Sequence, residues 1–218
     1  MGDSTIKVGM FTLGMVATNC YFVFDESATD EEGRFHAAFF DPADKGERIY
    51  EALSEKNIVV DKILLTHGHF DHIGGVEALK KLSGAKVGCY EKEQALCNDP
   101  YLNLSNDYGW HWKVVPDETY RDGEVVTVAG IDFKVLATPG HTSGGCCYYI
   151  EKAGILISGD TLFEESVGRT DFPTSSTREL VNSVKEKLFV LPDDTIVYPG
   201  HGELTTIGHE KEYNPFIM

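Results

Sequence analysis

At 218 residues, with 42% hydrophobic and 11% aromatic content, the chain is long enough to bury a core of its own. Its 35 acidic against 19 basic side chains give a net charge of −16, which disfavours a phosphate backbone as partner. No apolar run reaches the length of a membrane span, and no basic segment followed by an apolar one marks the N-terminus. The expectation is a cytoplasmic protein without signal peptide, acting on a small molecule and not on nucleic acid or membrane.

Short apolar and aromatic runs predict strands over 7–13, 20–24 and 37–40, with a charged hairpin loop over 25–34. Asp41-Pro42-Ala43-Asp44 ends the third. From about Gly46, Ile49, Ala52 and Leu53 share one face of a helix pattern. A buried-strand run over 62–65 breaks off at Thr66-His67-Gly68-His69. Val76, Leu79 and Leu82 mark a second amphipathic helix, followed by a strand over 86–89. Residues 98–120, with Trp110-His111-Trp112 in the middle, read as a long irregular loop. Strands return over 124–128, 131–137, 146–150 and 154–157, then a helix over 177–188 and a strand over 195–198. Strands alternating with helices indicate an α/β fold, and the lack of a linker indicates one domain over 1–218. Cys20, Cys89, Cys97, Cys146 and Cys147 contain no CxxC pair and sit mostly in apolar stretches. They read as small buried side chains in a reducing compartment.

The chemistry concentrates in Thr66-His67-Gly68-His69-Phe70-Asp71-His72, directly after a buried strand. Imidazole nitrogens and carboxylate oxygens are the ligands that zinc, iron and manganese accept. The spacing lets His67 and His69 face one position while Asp71 and His72 reach a second nearby. Solvated turns favour Asn, Asp, Ser and Lys over three histidines. Thr138-Pro139-Gly140-His141, Ser158-Gly159-Asp160 and Tyr198-Pro199-Gly200-His201 repeat the form, each an apolar run ending in a polar residue beside glycine. Alone, His141 or His201 reads as a hydrogen-bonded core histidine and Asp160 as a turn residue. Their shared context, at strand ends where α/β folds gather their sites, makes them one group.

This THxHxDH motif, with a later His, a later GD and a final GH, resembles the metallo-β-lactamase superfamily over nearly the whole chain. Asn19-Cys20-Tyr21, Asp41-Pro42, Ser158-Gly159-Asp160-Thr161-Leu162-Phe163 and Gly168-Arg169 are similar to its glyoxalase II (hydroxyacylglutathione hydrolase) branch. Gly168-Arg169-Thr170-Asp171-Phe172-Pro173, Thr206-Ile207-Gly208 and Asn214-Pro215-Phe216 resemble the short, single-domain members of that branch. The resemblance implies a four-layered αββα sandwich and two divalent metal ions, zinc first, with iron or manganese also compatible. His67, His69 and His141 would hold the first, Asp71, His72 and His201 the second, and Asp160 would bridge them. Asp71 and Asp160 are then also the catalytic carboxylates. Two close cations lower the pKa of a shared water, and the resulting hydroxide attacks a thioester carbonyl such as that of S-D-lactoylglutathione. Full-length glyoxalase II carries a further C-terminal helical domain that binds glutathione, and this chain is expected to lack it.

Arg169 has two readings, an anchor for an anionic substrate group or a salt bridge to Asp171 or Glu165. His111 reads as part of a packed aromatic loop, with pocket lining the other option. The same resemblance admits a mononuclear-iron persulfide dioxygenase, with iron on His67, His141 and Asp160. β-Lactamases generally lack a carboxylate at the Asp160 position. A flavodiiron enzyme has Glu where His69 stands. A non-catalytic binding module would have lost ligands.

Overall fold

Strand after strand in this chain sends apolar side chains to both faces, and the fold is the arrangement that covers both. The computed structural model describes residues 4–217. The first sheet follows chain order: β1 (Ile6–Leu13), β2 (Thr18–Asp25), β3 (Phe35–Phe40), β4 (Ile58–Leu65), β5 (Lys86–Tyr90) and β6 (Glu118–Tyr120). β1 to β3 are antiparallel and β3 to β6 parallel. Parallel neighbours need crossovers. These carry α1 (Gly46–Ser54), then α2 (Phe70–Ile73) with α3 (Val76–Ser83), then the one-turn α4 (Gln94–Cys97).

The second sheet begins with β7 (Val125–Val128), β8 (Ile131–Ala137), β9 (Cys146–Ile150) and β10 (Ile155–Gly159). A small hairpin, β11 (Leu162–Phe163) and β12 (Ser166–Val167), and α5 (Thr177–Ser183) intervene before β13 (Ile196–Pro199), β14 (Thr205–Thr206) and α6 (Ile207–Tyr213). Its spatial order is β7-β8-β9-β10-β13-β14, with β10 and β13 parallel.

Alternation along each strand then builds the layers. Cys20, Phe22, Ala37, Phe39, Ile63 and Leu65 pack with Ile49 and Leu53 of α1 and Val76 and Leu79 of α3. Their neighbours Tyr21, Val23, Ala38, Phe40 and Leu64 point the other way, against Phe133, Val135, Tyr148 and Ile157 of the second sheet. The far face of that sheet, with Leu136, Cys147, Tyr149, Leu156 and Val197, packs on Val184, Leu188 and Ile207. Three apolar interfaces make four layers, helix–sheet–sheet–helix, the αββα sandwich the resemblance implied. All five cysteines are buried and free.

The strand expected over 62–65 starts earlier, at Ile58. Pairing steps from Ala37↔Val60 to Ala38↔Lys62, so Asp61 bulges out of the ladder, where His36 Nδ1 meets its carboxylate at 2.7 Å. That bulge places a charge inside the strand and hides its first half from an apolar-run reading. Sequence periodicity also misses β6, the β11–β12 hairpin, β14 and α6, each too short to establish a period.

Candidate metal centre

Five strands run toward one edge of the sandwich, and the polar residue after each arrives at the same place. Asp41 follows β3, Thr66 to His72 follow β4, His141 follows β8, Asp160 follows β10 and His201 follows β13. The two sheets are fastened to each other there. Tyr148 Oη donates to the Leu65 carbonyl at 2.9 Å, Tyr21 Oη to the Pro199 carbonyl at 2.8 Å and Cys146 N to the Thr66 carbonyl at 2.9 Å. Asn19 gives its backbone N–H to Gly200 O and its amide to Pro199 O and Gly202 O. Glycine is required where the backbones close in. A Cβ at Gly200 would run into Asp160 Oδ1 and the His72 ring, and one at Gly168 into the Asp160 carbonyl.

All seven residues expected from sequence come together. His67, His69 and His141 form one group, and Asp71, His72 and His201 a second, with donor atoms in each within 4.8 Å of one another. Asp160 lies between the groups: His141 Nε2 at 3.4 Å, His72 Nε2 at 3.4 Å and His201 Nε2 at 3.5 Å from its carboxylate oxygens. Asp71 Oδ2 stands 3.2 Å from His201 Nε2 and takes the Thr18 hydroxyl at 3.1 Å.

The outward nitrogens of two rings have fixed partners. His72 Nδ1 donates to Asp41 Oδ2 at 3.0 Å and His141 Nδ1 to the Arg169 carbonyl at 2.8 Å, which turns both Nε2 atoms to the centre. Asp41 itself is held by the Thr66 N–H at 2.8 Å and hydroxyl at 2.6 Å. Asp41 also falls within ligand distance of His67 and His72, but these hydrogen bonds account for it as the support beneath His72.

The cluster fits a cation on two counts. His67 Nε2, His72 Nε2 and Asp160 Oδ1 are buried without a hydrogen-bond partner, a costly state for polar atoms that have no other use, and His69 turns its Nδ1 to the same centre, 2.9 Å from His141 Nε2. The charges agree. Burial, reinforced by neighbouring rings, holds His67 well below the usual imidazole range and His69 down to about 3, so both are neutral lone-pair donors. Burial opposes charge on Asp160 and Asp71 as well, yet His72 and His201 outweigh it and both carboxylates stay ionised. Against the same burial, Asp160, Asp71 and Asp41 raise His72, and Asp160 and Asp71 raise His201 to about 9. The carboxylates thus draw positive charge into the centre.

Arg169 forms the salt bridge to Asp171 that one of its sequence readings offered. Its guanidinium meets Asp171 through Nε at 3.0 Å and Nη2 at 2.7 Å, lies 4.6 Å from the centre of the Phe172 ring and lines the cavity above the cluster. Glu165 pairs instead with His209. His111 is exposed and outside that cavity, while Trp110 and Trp112 stack at 4.5 Å in the aromatic loop expected of them.

Sequence reasoning missed Glu93. Fully buried, it accepts from Gly68 N at 3.0 Å and from the Thr142 hydroxyl at 3.1 Å, tying the His67–His69 loop to the turn after His141. Within Glu91-Lys92-Glu93 it reads as part of a solvated charge run, and nothing in the sequence distinguishes it.

The cavity over the cluster has a volume of about 400 Å³ and is walled by Val16, Phe70, Leu104, Tyr108, Phe163 and Phe172. Among the described residues no Ser, Cys or Lys side chain lines it, so the polar groups in reach of a ligand are imidazoles, carboxylates, Arg169 and the Tyr108 phenol.

A family model described as metallo-beta-lactamase superfamily matches residues 14–201. Hydroxyacylglutathione hydrolase GloC of Haemophilus influenzae is 35% identical, over 91% of this chain and 92% of that protein. A solved structure described as BLEG-1 B3 metallo-beta-lactamase superposes with a TM-score of 0.88 at 35% identity, covering 97% of this chain and 100% of that one. TTHA1623 in a di-iron-bound form superposes with a TM-score of 0.81 at 32% identity, over 95% and 99% of the two chains. With the model match, the αββα layers and the convergent His/Asp cluster together, the chain belongs to the metallo-β-lactamase superfamily, a superfamily of metal-dependent hydrolases.

Proposed function

We propose that this protein hydrolyses thioesters at a two-metal centre, with a hydroxyacyl thioester such as S-D-lactoylglutathione as the first substrate to try. The observation behind this is the placement of Asp160 between two complete ligand sets, His67–His69–His141 and Asp71–His72–His201. The relative described as a hydroxyacylglutathione hydrolase supports the choice of thioester. The ions, zinc by preference, would sit on those two sets with Asp160 common to both, and would supply a water acidic enough to act near neutral pH and a positive field for the developing oxyanion.

The chain's own groups do the rest. Asp41 and the Arg169 carbonyl fix the His72 and His141 rings, so both Nε2 atoms are aimed at the centre before anything binds. Val16, Phe70, Leu104 and Phe172 give the cavity above the cluster an apolar wall. A thiolate leaves without a strong general acid, and the cavity offers no Ser, Cys or Lys for a covalent route, which favours direct attack by water. Arg169, at the cavity wall, is the anchor for an anionic end of the substrate; the Arg169→Ala variant should raise KM with kcat little changed.

The test is hydrolysis of S-D-lactoylglutathione by protein of measured metal content, beside two competing assays. Thioester turnover that disappears on chelation and returns with zinc or iron supports the proposal. Oxygen uptake with glutathione persulfide at one iron per chain, on His67, His141 and Asp160, would replace it with the dioxygenase reading. β-Lactam turnover without thioester turnover would align the protein with the relative described as a B3 metallo-β-lactamase.

A further inference from the structure

A second cavity, of about 420 Å³, lies next to the one over the cluster. The two share Phe70 and Asp71, and the β1–β2 turn contributes to both, Val16 to the first and Gly14 and Met15 to the second. Ala43, Trp110 and Trp112 complete its apolar wall, and its charged lining groups are two carboxylates, Asp44 and Asp71, with no Lys, Arg or His. A phosphate or carboxylate would meet only like charge there.

The wall is built in advance. Trp110 stacks on Tyr108 at 5.2 Å and 20° and on Trp112 at 4.5 Å and 17°, and Phe70 tilts against Tyr108 at 4.5 Å. The buried Asn103 amide donates to the Trp112 carbonyl at 2.9 Å, and the buried Ser105 hydroxyl accepts from Trp112 N at 3.0 Å. Yet the surface stays open, with Met15 64% and Trp110 37% exposed. An exposed apolar array that adjoins a reactive centre has a use for its exposure.

We infer that this groove is a subsite for an uncharged alkyl or aryl arm of the substrate, entering beside Phe70 and Asp71. The inference rests on the hydrolytic reading above. A thioester carbonyl carries two arms; the arm that reaches Arg169 can be anionic, and the arm in the tryptophan groove is apolar. The substrate class narrows to thioesters with one neutral, apolar half.

The chain has two tryptophans, and both line the groove, so intrinsic fluorescence reports its occupancy without turnover. Metal-loaded protein is titrated with three non-hydrolysable thioethers of N-acetylcysteamine, bearing S-benzyl, S-carboxymethyl and S-(2-trimethylammonioethyl) groups. The benzyl probe should give a saturable change, with affinity at least about tenfold above either charged probe. S-alkyl probes should tighten by up to about fourfold for each added methylene. The Met15→Asp variant, at an exposed turn, should lose that chain-length dependence and Met15→Leu should keep it. In turnover, kcat/KM for acyl thioesters of N-acetylcysteamine should rise with acyl length in the wild type and stay flat in Met15→Asp. No saturable change, equal affinity for the anionic probe, or tighter binding of the cationic one overturns the subsite. Probe binding as described without thioester hydrolysis upholds the groove and overturns the proposed reaction; hydrolysis without saturable probe binding does the reverse.

Discussion

At the scale of single residues, the divide runs between groups that point at the centre and groups that hold them. Glu93 belongs to the second kind and is the most exposed to test. In the Glu93→Ala variant the Gly68 N–H and Thr142 hydroxyl lose their acceptor, at a cost of roughly 1–3 kcal/mol each where no water replaces it. Metal affinity should fall roughly 10–100-fold, read by competition with a chromophoric chelator, since such outer partners orient the ligands. Unchanged affinity would make Glu93 a packing residue.

Glu93 also predicts a pH effect of definite sign. Burial raises its carboxyl from 4.5 to about 7, against the pull of the Gly68 N–H and the Thr142 hydroxyl. The folded state therefore holds a proton that the unfolded chain releases. Its stability contribution is full below pH 4.5 and lost as pH rises through about 7. The Glu93→Gln variant should flatten that slope, so urea midpoints of wild type and variant should diverge across this window. Parallel curves would contradict it.

The contrast explains what was legible at this scale. His67, His69, Asp71 and His72 stood out because their types are rare in a turn and their spacing is short. His141, Asp160 and His201 could be read only through their shared position after apolar runs. Asp41 has the same position, and its support of His72 appears once the β3 and β4 ends lie side by side. Glu93 has no such cue, because its burial is a property of packing.

At the scale of elements, the centre depends on two sheets meeting at one edge. Tyr148 crosses between them, and the Tyr148→Phe variant should lose about 1 kcal/mol, since the Leu65 carbonyl then keeps only the weak Cys146 thiol donor at 3.7 Å. An urea midpoint equal to wild type would mean that this tie contributes nothing. Gly200 tests the same edge more sharply. Because a Cβ there meets Asp160 and His72, Gly200→Ala should keep the far-ultraviolet circular dichroism of the wild type but bind fewer metal ions per chain. Full metal content in that variant would show that the β13 end yields easily.

The long, doubly apolar strands were legible because alternation to two cores leaves continuous apolar runs. Strand β4 was half-hidden by the Asp61 bulge, and β14 and α6 gave too few residues for a period. Helix 177–188 runs as expected but changes character, with α5 passing into a wider turn over Val184–Leu188 that still buries Val184 and Leu188.

At the scale of the whole molecule, charge and layering set the behaviour. A net charge of −16 repels itself, so metal-loaded protein should gain several degrees in Tm between roughly 0.01 and 0.15 M salt as screening lengths shorten. A flat Tm would place the acidic groups in locally balanced pairs, as Lys62–Glu118 and Lys80–Asp117 already are. Among the described residues no helix is long and apolar enough to cross a membrane.

One edge of this sandwich is proposed to hold two cations on seven side chains, and metal content per chain tests that most directly. Elemental analysis of wild type, Asp160→Asn and His67→Ala, each loaded with zinc in slight excess over two equivalents and then dialysed against metal-free buffer, is the measurement. The account predicts about two ions per chain in the wild type and about one or fewer in each variant, with circular dichroism unchanged. Two ions retained in both variants, or none in the wild type, would contradict it.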